Sequence, residues 1–238
     1  MIAETVDGPV VVFGAGGRAG RTIVAEAVGR SIAVRAVVRK PYLHADLDRL
    51  GVDLVQGDVT DPASTVALAA GASVLVNAVT PFSAPPTSFD DFDETYFESV
   101  TQNLITAAAQ HGVQRVIDVG LAATLKIDSS RMYEHADRFP AFLRPFALAR
   151  TRGIDTWHKR GCQIDWVVLT PPPALAVDAA STGRYRLGGD TLEPRLADVP
   201  LSYGDLAVAI VDEIAAPTRH REQAAVYGTA TADPTPNV

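Results

Sequence analysis

The chain has 238 residues, a formal net charge of −7 and a hydrophobic share of 47%, with an isoelectric point near 5.2. That length suits one α/β domain with a large core, and the acidic balance without any long basic run argues against a nucleic-acid surface. Cys162 is the only cysteine, which excludes an internal disulfide and a cysteine metal cluster. The start carries acidic Glu4 and Asp7 instead of a basic and then apolar run, so no secretion signal is visible. The most apolar window, Val66 to Val79, is too short for a membrane span and is broken by Gly71, Ser73 and Asn77. Together these features predict a soluble, cytoplasmic protein, monomer or homodimer, with no membrane and no nucleic-acid partner.

The first predicted element is a strand, Val10 to Phe13, whose apolar, mostly β-branched residues suit burial on both faces. Gly14-Ala15-Gly16-Gly17-Arg18-Ala19-Gly20 follows as a tight turn. From Arg21 to Gly29 the spacing becomes helical, with Ile23, Val24, Ala27 and Val28 on one side. The glycines fit two registers, Gly14-x-Gly16-x-x-Ala19 and Gly14-x-x-Gly17-x-x-Gly20. Between a strand and a helix either register marks a dinucleotide site. The turn needs a residue without a Cβ where the chain reverses, another where the backbone approaches a pyrophosphate, and a small one where helix packs on strand. The open N–H groups and positive dipole end of the helix then face the phosphates. A glycine-rich turn that merely closes a loop is the plainer alternative, and the flanking strand and helix weigh against it.

A second strand, Ile32 to Val38, ends at Arg39-Lys40-Pro41. In NAD-binding units an acidic residue about 20 positions past the glycines takes the ribose hydroxyls. Here Arg39 and Lys40 stand at that place. A guanidinium pairs with a 2′-phosphate where a carboxylate would repel it, so NADP(H) is expected in preference to NAD(H). Arg18 is placed to flank the same phosphate; the bland reading is two solvated cations at a strand end.

A third strand, Val52 to Val55, leads to Gln56-Gly57-Asp58-Val59-Thr60-Asp61. Asp58 is a candidate acceptor for an adenine amino group or a cap for the helix Pro62 to Ala70. Asp61, directly before Pro62, fits the cap better. The fourth strand, Val74 to Val79, ends in small residues that let a ribose lie close. Thr80 to Asp91, rich in Pro and Ser, is a candidate substrate wall or a plain connection. A long helix is predicted from Phe92 to His111, with Tyr96, Val100, Leu104 and Ala108 four apart and Gly112 as its stop. Val116 to Val119 is the fifth strand.

Leu121 to Phe142 is less regular, is expected to be partly helical and close to the substrate, and holds Tyr133 and His135. Pro145 begins a helix that runs to Arg160 and stops at Gly161. A sixth strand, Ile164 to Leu169, runs into Thr170-Pro171-Pro172-Pro173. Tyr185 to Leu192 reads as a hairpin turning at Gly188-Gly189. Ser202-x-x-Asp205 opens a helix with Leu206, Ile210 and Ile214 on its buried side, stopped by Pro217. Ala225 to Tyr227 is a last strand, and Asp233 to Val238 should fray. This alternation predicts an α/β fold, a Rossmann-type doubly wound parallel sheet with its ligand at the strands' carboxyl ends. Residues 1–238 form one domain, with 170–200 adding a small C-terminal substrate lobe.

In order along the chain, these stretches resemble the atypical short-chain dehydrogenase/reductases, and within them the NADH-flavin reductase-like proteins related to biliverdin reductase B. The residues that carry the likeness are Gly14 to Gly20, Val38-Arg39-Lys40-Pro41, Gln56 to Pro62, Gly112 to Val116, Asp165-Trp166, Thr182 to Asp190 and Leu201 to Ala207. The resemblance implies that Gly14, Ala15, Gly16, Gly17, Arg18, Ala19 and Gly20 hold the pyrophosphate and Arg39 the 2′-phosphate. It places Asp58 and Val59 beside adenine, Asn77, Ala78 and Val79 beside the adjoining ribose, and Gly120, Thr170 and Pro171 near the nicotinamide. Two departures stand out. Most relatives have Thr where this chain has Gly16, and Gly120-Leu121-Ala122-Ala123 offers no hydroxyl until Thr124.

The usual Tyr-x-x-x-Lys pair, in which the lysine lowers the tyrosine pKa and the phenol protonates substrate, is missing. The lysines are Lys40, Lys126 and Lys159, and none lies four residues after a tyrosine. Flavins and quinones accept hydride without a strong acid at hand, so the expected activity is an NADPH-dependent reductase of flavin-like or quinone-like acceptors, with no catalytic residue assigned. A non-catalytic sensor of the NADP/NADPH ratio and a cofactor-retaining isomerase or tailoring reductase remain as alternatives. Tyr133 and His135 are weak proton-donor candidates, the five histidines lack metal spacing, and no hydrolase elbow is present.

Overall fold

The computed structural model describes residues 8–82, 86–89 and 91–229. β1 (Val10–Phe13) is buried along its whole length. The chain reverses at Gly14, whose φ of 79° lies in the left-handed region, and enters α1 (Arg18–Gly29) three residues before the apolar periodicity begins. A Cβ on Gly20 would collide with the carbonyl oxygen of Gly14, so helix and turn touch backbone to backbone. β2 (Val34–Val38) is followed by a 3₁₀ turn, Pro41–Leu43, and the one-turn α2 (Ala45–Asp48). Next come β3 (Asp53–Gln56) and α3 (Pro62–Leu68), the latter capped as expected by Asp61, whose Oδ1 accepts the Ala63 N–H at 2.9 Å.

β4 (Val74–Asn77) ends two residues short of the predicted strand, and α4 (Tyr96–His111) starts four residues late, closing at Gly112. β5 (Arg115–Val119) precedes a small antiparallel ribbon of β6 (Lys126–Ile127) and β7 (Ser130–Arg131). Then follow α5 (Arg144–Arg160) and β8 (Asp165–Thr170). The remaining elements are β9 (Leu175–Ala176), β10 (Arg186–Leu187), β11 (Leu201–Ser202), α6 (Tyr203–Ala215) and β12 (Glu222–Tyr227).

The main sheet runs β10-β12-β8-β5-β4-β1-β2-β3. Every pairing is parallel except that of β10 with β12. This is the doubly wound sheet expected from the alternation of elements, and its order reverses beside β1, between β4 and β2. One face packs on α1, α2 and α6 through residues such as Ile23, Leu47, Leu206 and Ile210; the other packs on α3, α4 and α5 through Val100, Leu104 and Trp157. Strands covered on both sides are mostly apolar, which is why they read as near-continuous runs.

One expectation needs correction. Tyr185 to Leu192 is no hairpin: Arg186 and Leu187 pair antiparallel with Tyr227 and Val226, and the chain continues until Thr191 bridges Lys126. A two-residue hairpin turn of type I′ needs positive φ at both central residues, and neither Gly188 nor Gly189 has it. The stretch 121–142 is partly helical, as expected, through the 3₁₀ turns Ala122–Thr124 and Met132–Glu134, which flank the β6–β7 ribbon. β9 and β11, parallel partners near the carboxyl end of the sheet, carry no two-residue signal that periodicity can detect. The expected fraying at Asp233 to Val238 falls outside the described residues, as do Ser83, Ala84, Pro85 and Asp90 of the proline-rich stretch. No described helix is long and apolar enough to cross a membrane.

Candidate cofactor and substrate cleft

A cleft of about 1060 Å³ opens along the carboxyl ends of the parallel strands. Gly14 after β1, Arg39 after β2, Asp58 after β3, Val79 after β4, Gly120 after β5 and Pro171 after β8 all line it. An open α/β sheet forms its ligand crevice at these strand ends, where the order reverses.

At one end stands the glycine turn. α1 has Gly17 as its N-cap, without a side-chain cap and without an acidic residue in its first turn. The first N–H groups of a helix have no intrahelical acceptor, so this end remains free to receive an anion. Gly16, Gly17, Arg18 and Ala19 line the cleft here. Arg21 braces the turn from behind: its Nε donates to the Gly16 carbonyl at 2.9 Å, and it also pairs with Asp46. Its Nη2 lies 2.8 Å from His44 Nδ1. Because arginine is always a donor, His44 Nδ1 accepts and the ring proton sits on Nε2. Burial, and then the Arg21 charge, hold the His44 pKa below its usual value. The ring lies against Gly16, where a Cβ would fall 2.5 Å from His44 Cε1.

Arg18, Arg39 and Lys40 are exposed at this end, and no ion pair involves them among the described residues. Asp58 lines the cleft while its Oδ1 accepts from the Thr60 N–H at 2.9 Å and the Thr60 hydroxyl at 2.7 Å. It therefore shapes its own turn and keeps Oδ2 open. Val59 and Ala78 complete this part of the wall.

Four of the expected site residues sit behind the wall. Ala15 is wholly buried and Gly20 is packed under the turn. Asn77 donates to Asp118 Oδ1 at 3.0 Å, and Thr170 accepts from Gln223 Nε2 at 3.0 Å. Their side chains fix the strand ends and do not line the cleft.

A family model described as NAD(P)H-binding matches residues 14–217. The chain belongs to that family. YwnB of Bacillus subtilis strain 168, itself uncharacterised, is 25% identical over 224 residues, covering 92% of this chain and 98% of that one. The crystal structure of a candidate exported protein of Burkholderia pseudomallei is 28% identical with a TM-score of 0.77, covering 92% of this chain and 99% of that one. That of a candidate NADH-flavin reductase of Streptococcus pneumoniae TIGR4 is 23% identical with a TM-score of 0.75, covering 93% and 99%.

The other end of the cleft in this NAD(P)H-binding chain is aromatic. Phe82, Phe97 and Phe146 line it, with Phe82 and Phe146 ring centroids 5.2 Å apart and Phe97 and Phe146 5.5 Å apart. Phe146 and Arg150 are four apart on α5 and so share one face; both reach the cleft. Arg150 lies over the Phe97 ring at 4.3 Å and within 3.4 Å of Asp118 Oδ1. Asp118 also accepts the Trp157 indole N–H at 3.3 Å, which joins β4, β5 and α5 at one buried carboxylate. Tyr96 lines the middle of the cleft. Burial, then the Asp58 charge, push its phenol above the usual tyrosine value, while Arg39 and Arg150 pull it down.

Of the stretch expected near the substrate, Leu121 and Ala122 line the cleft, but Tyr133 and His135 do not. Tyr133 borders a separate hollow of about 550 Å³, and His135 Nε2 lies 2.8 Å from Ser130 Oγ within the ribbon. No metal-binding group of His, Cys, Asp or Glu exists among the described residues. Sequence reasoning missed His44, Tyr96, Phe146 and Arg150. For the last two a signal was present: one cation ending the apolar run Pro145 to Ala149, at helical spacing from an aromatic residue.

Proposed function

We propose that the chain is an NADPH-dependent oxidoreductase that delivers hydride to a flat, flavin-like or quinone-like acceptor. The observation that carries the reading is the two-ended lining of one cleft, with unpaired cations and open N–H groups at one end and aromatic rings at the other. The residues suit such a cofactor. Gly14 and Gly16 let the turn press against the Ala78 carbonyl and the His44 ring, where a Cβ would collide, and no acidic side chain in the first turn of α1 opposes a pyrophosphate.

In this reading Gly14 to Gly17 and the start of α1 hold the pyrophosphate, with His44 Nε2–H as a further donor. Arg39, Lys40 and Arg18 surround the 2′-phosphate. Asp58 and Val59 flank adenine, Ala78 and Val79 admit a ribose, and Gly120 with Pro171 borders the nicotinamide. The bound cofactor supplies hydride from its reduced ring. Phe82, Phe146 and Leu121 exclude water and stack a planar acceptor, so rate comes mainly from juxtaposition. Lys40 is the only lysine that lines the cleft, and it stands at the phosphate end. Proton delivery by a Tyr–Lys pair therefore has no place here. The segment 170–200, which brings Pro172, Pro173 and Leu175 to the cleft, serves as the substrate lobe. The NADH-flavin reductase named among the structural neighbours fits the same chemistry.

The test is oxidation of NADPH by purified protein with riboflavin, FMN and naphthoquinones. Turnover above the buffer rate, faster with NADPH than with NADH, is expected. Oxidation no faster than buffer across the panel contradicts the proposal.

A further inference from the structure

Arg150 is a cation with unused hydrogen-bonding capacity in a nearly closed place. It is 5% exposed. Its Nη2 donates to the Val119 carbonyl and faces Asp118 Oδ1 at 3.4 Å. Nε and Nη1 have no partner among the described residues, yet neither is sealed from the cleft that the residue lines. A guanidinium cannot shed its charge, and buried donors without acceptors are costly. The site is complete only when something in the cleft supplies an acceptor.

The surroundings define that acceptor. The guanidinium rests on the Phe97 face, and Phe146 and Phe82 continue the wall. Flat apolar walls select a conjugated ring, and an unused N–H on a fixed cation selects a carbonyl oxygen at its edge. Asp118 already balances the positive charge, so the site favours a neutral carbonyl that gains charge over a permanent anion.

Resting on the reductase reading above, we infer that Arg150 binds the carbonyl oxygen of a conjugated acceptor and stabilises the negative charge that hydride transfer creates there. The reduced nicotinamide loses a hydride, two electrons with one hydrogen nucleus, and becomes oxidised. The acceptor ring gains that hydride, and its conjugated oxygen becomes an oxyanion held by one of the two unused Arg150 N–H groups, that of Nε or of Nη1. Arg150 keeps its proton. Water then protonates the oxyanion, and for a quinone the extra ring-carbon proton is lost to water while the second carbonyl oxygen gains one, giving the hydroquinone. Donors fixed in advance of charge development stabilise the transition state more than the ground state.

The test needs no turnover. With the NADP⁺ complex, equilibrium dialysis compares 1,4-naphthoquinone with naphthalene, the same bicycle without oxygens. The wild type is expected to prefer the quinone at least tenfold, and R150M to lose that preference while binding NADP⁺ within threefold of wild type. R150K, which keeps the charge without the planar fork, should show a preference at least threefold smaller than wild type; it decides the matter if R150M does not fold. No preference in the wild type, an undiminished one in either folded variant, or a tenfold loss of NADP⁺ affinity in R150M overturns the inference. A wild type that shows the preference but oxidises no NADPH defeats the reductase reading alone.

Discussion

At the mouth of the cleft a neutral histidine and a glycine share one space. His44 lies against Gly16 because Arg21 holds its Nδ1 at 2.8 Å, so the glycine here, where the family resemblance expects threonine, has a local cause. Restoring threonine would push the ring away and break that hydrogen bond. G16T is expected to cost about 1–2 kcal/mol in denaturant unfolding, and much less in an H44A background. Equal losses in both backgrounds contradict this account. That Gly14, Arg18 and Arg39 line one cleft was legible because their placement depends on chain neighbours: a strand before, a helix after, a fixed offset. His44 and Arg150 were not, because what defines them lies far away, at Gly16 across 28 positions and at Asp118 across 32.

Among the elements, the long ones announced themselves. α6 shows its Leu206, Ile210 and Ile214 stripe, and Asp205 bonds both the Ser202 hydroxyl and the backbone of Thr182 and Gly183, tying the helix start to the preceding loop. The two-residue strands had no period to read, and Gly188-Gly189 mimicked a turn because the partner of β10 is β12, some 40 residues on. Opposite the cleft, at the amino-terminal edge of the sheet, Arg115 bridges Glu213 and Asp165 at 2.7 Å each, with Glu213 1% exposed. Glu213 further accepts the N–H groups of Thr218 and Arg219, stitching the chain after α6 back to β5. Removing one partner of a buried pair strands the other charge. E213A should destabilise the fold by about 3 kcal/mol and leave NADP⁺ affinity in the surviving folded protein within twofold of wild type. A large affinity loss at full foldedness would show that the two edges of the sheet are coupled.

Over the whole molecule the charge is −7, yet Arg18, Arg39 and Lys40 gather unpaired at one end of the cleft. A locally positive mouth on an acidic body attracts phosphate and limits other anions by the surrounding field. Salt screens such exposed charges over about 8–10 Å. NADPH affinity should therefore fall more steeply than NADH affinity between 50 mM and 500 mM salt, measured by fluorescence titration; parallel slopes would remove the cations from phosphate recognition. The doubly wound sheet was readable from the alternation of strands and helices alone, since each apolar run had to be covered on both faces. The aromatic end of the cleft was not, since it is assembled from Phe82, Phe97 and Phe146 on three separate segments.

The most direct measurement is a calorimetric titration of NADP⁺ and NAD⁺ into the wild type and R39A. The account predicts tighter binding of NADP⁺ to the wild type, with R39A losing most of that preference through weaker NADP⁺ binding while NAD⁺ binds as before. Wild-type protein that binds neither nucleotide, or a preference untouched by R39A, would contradict it.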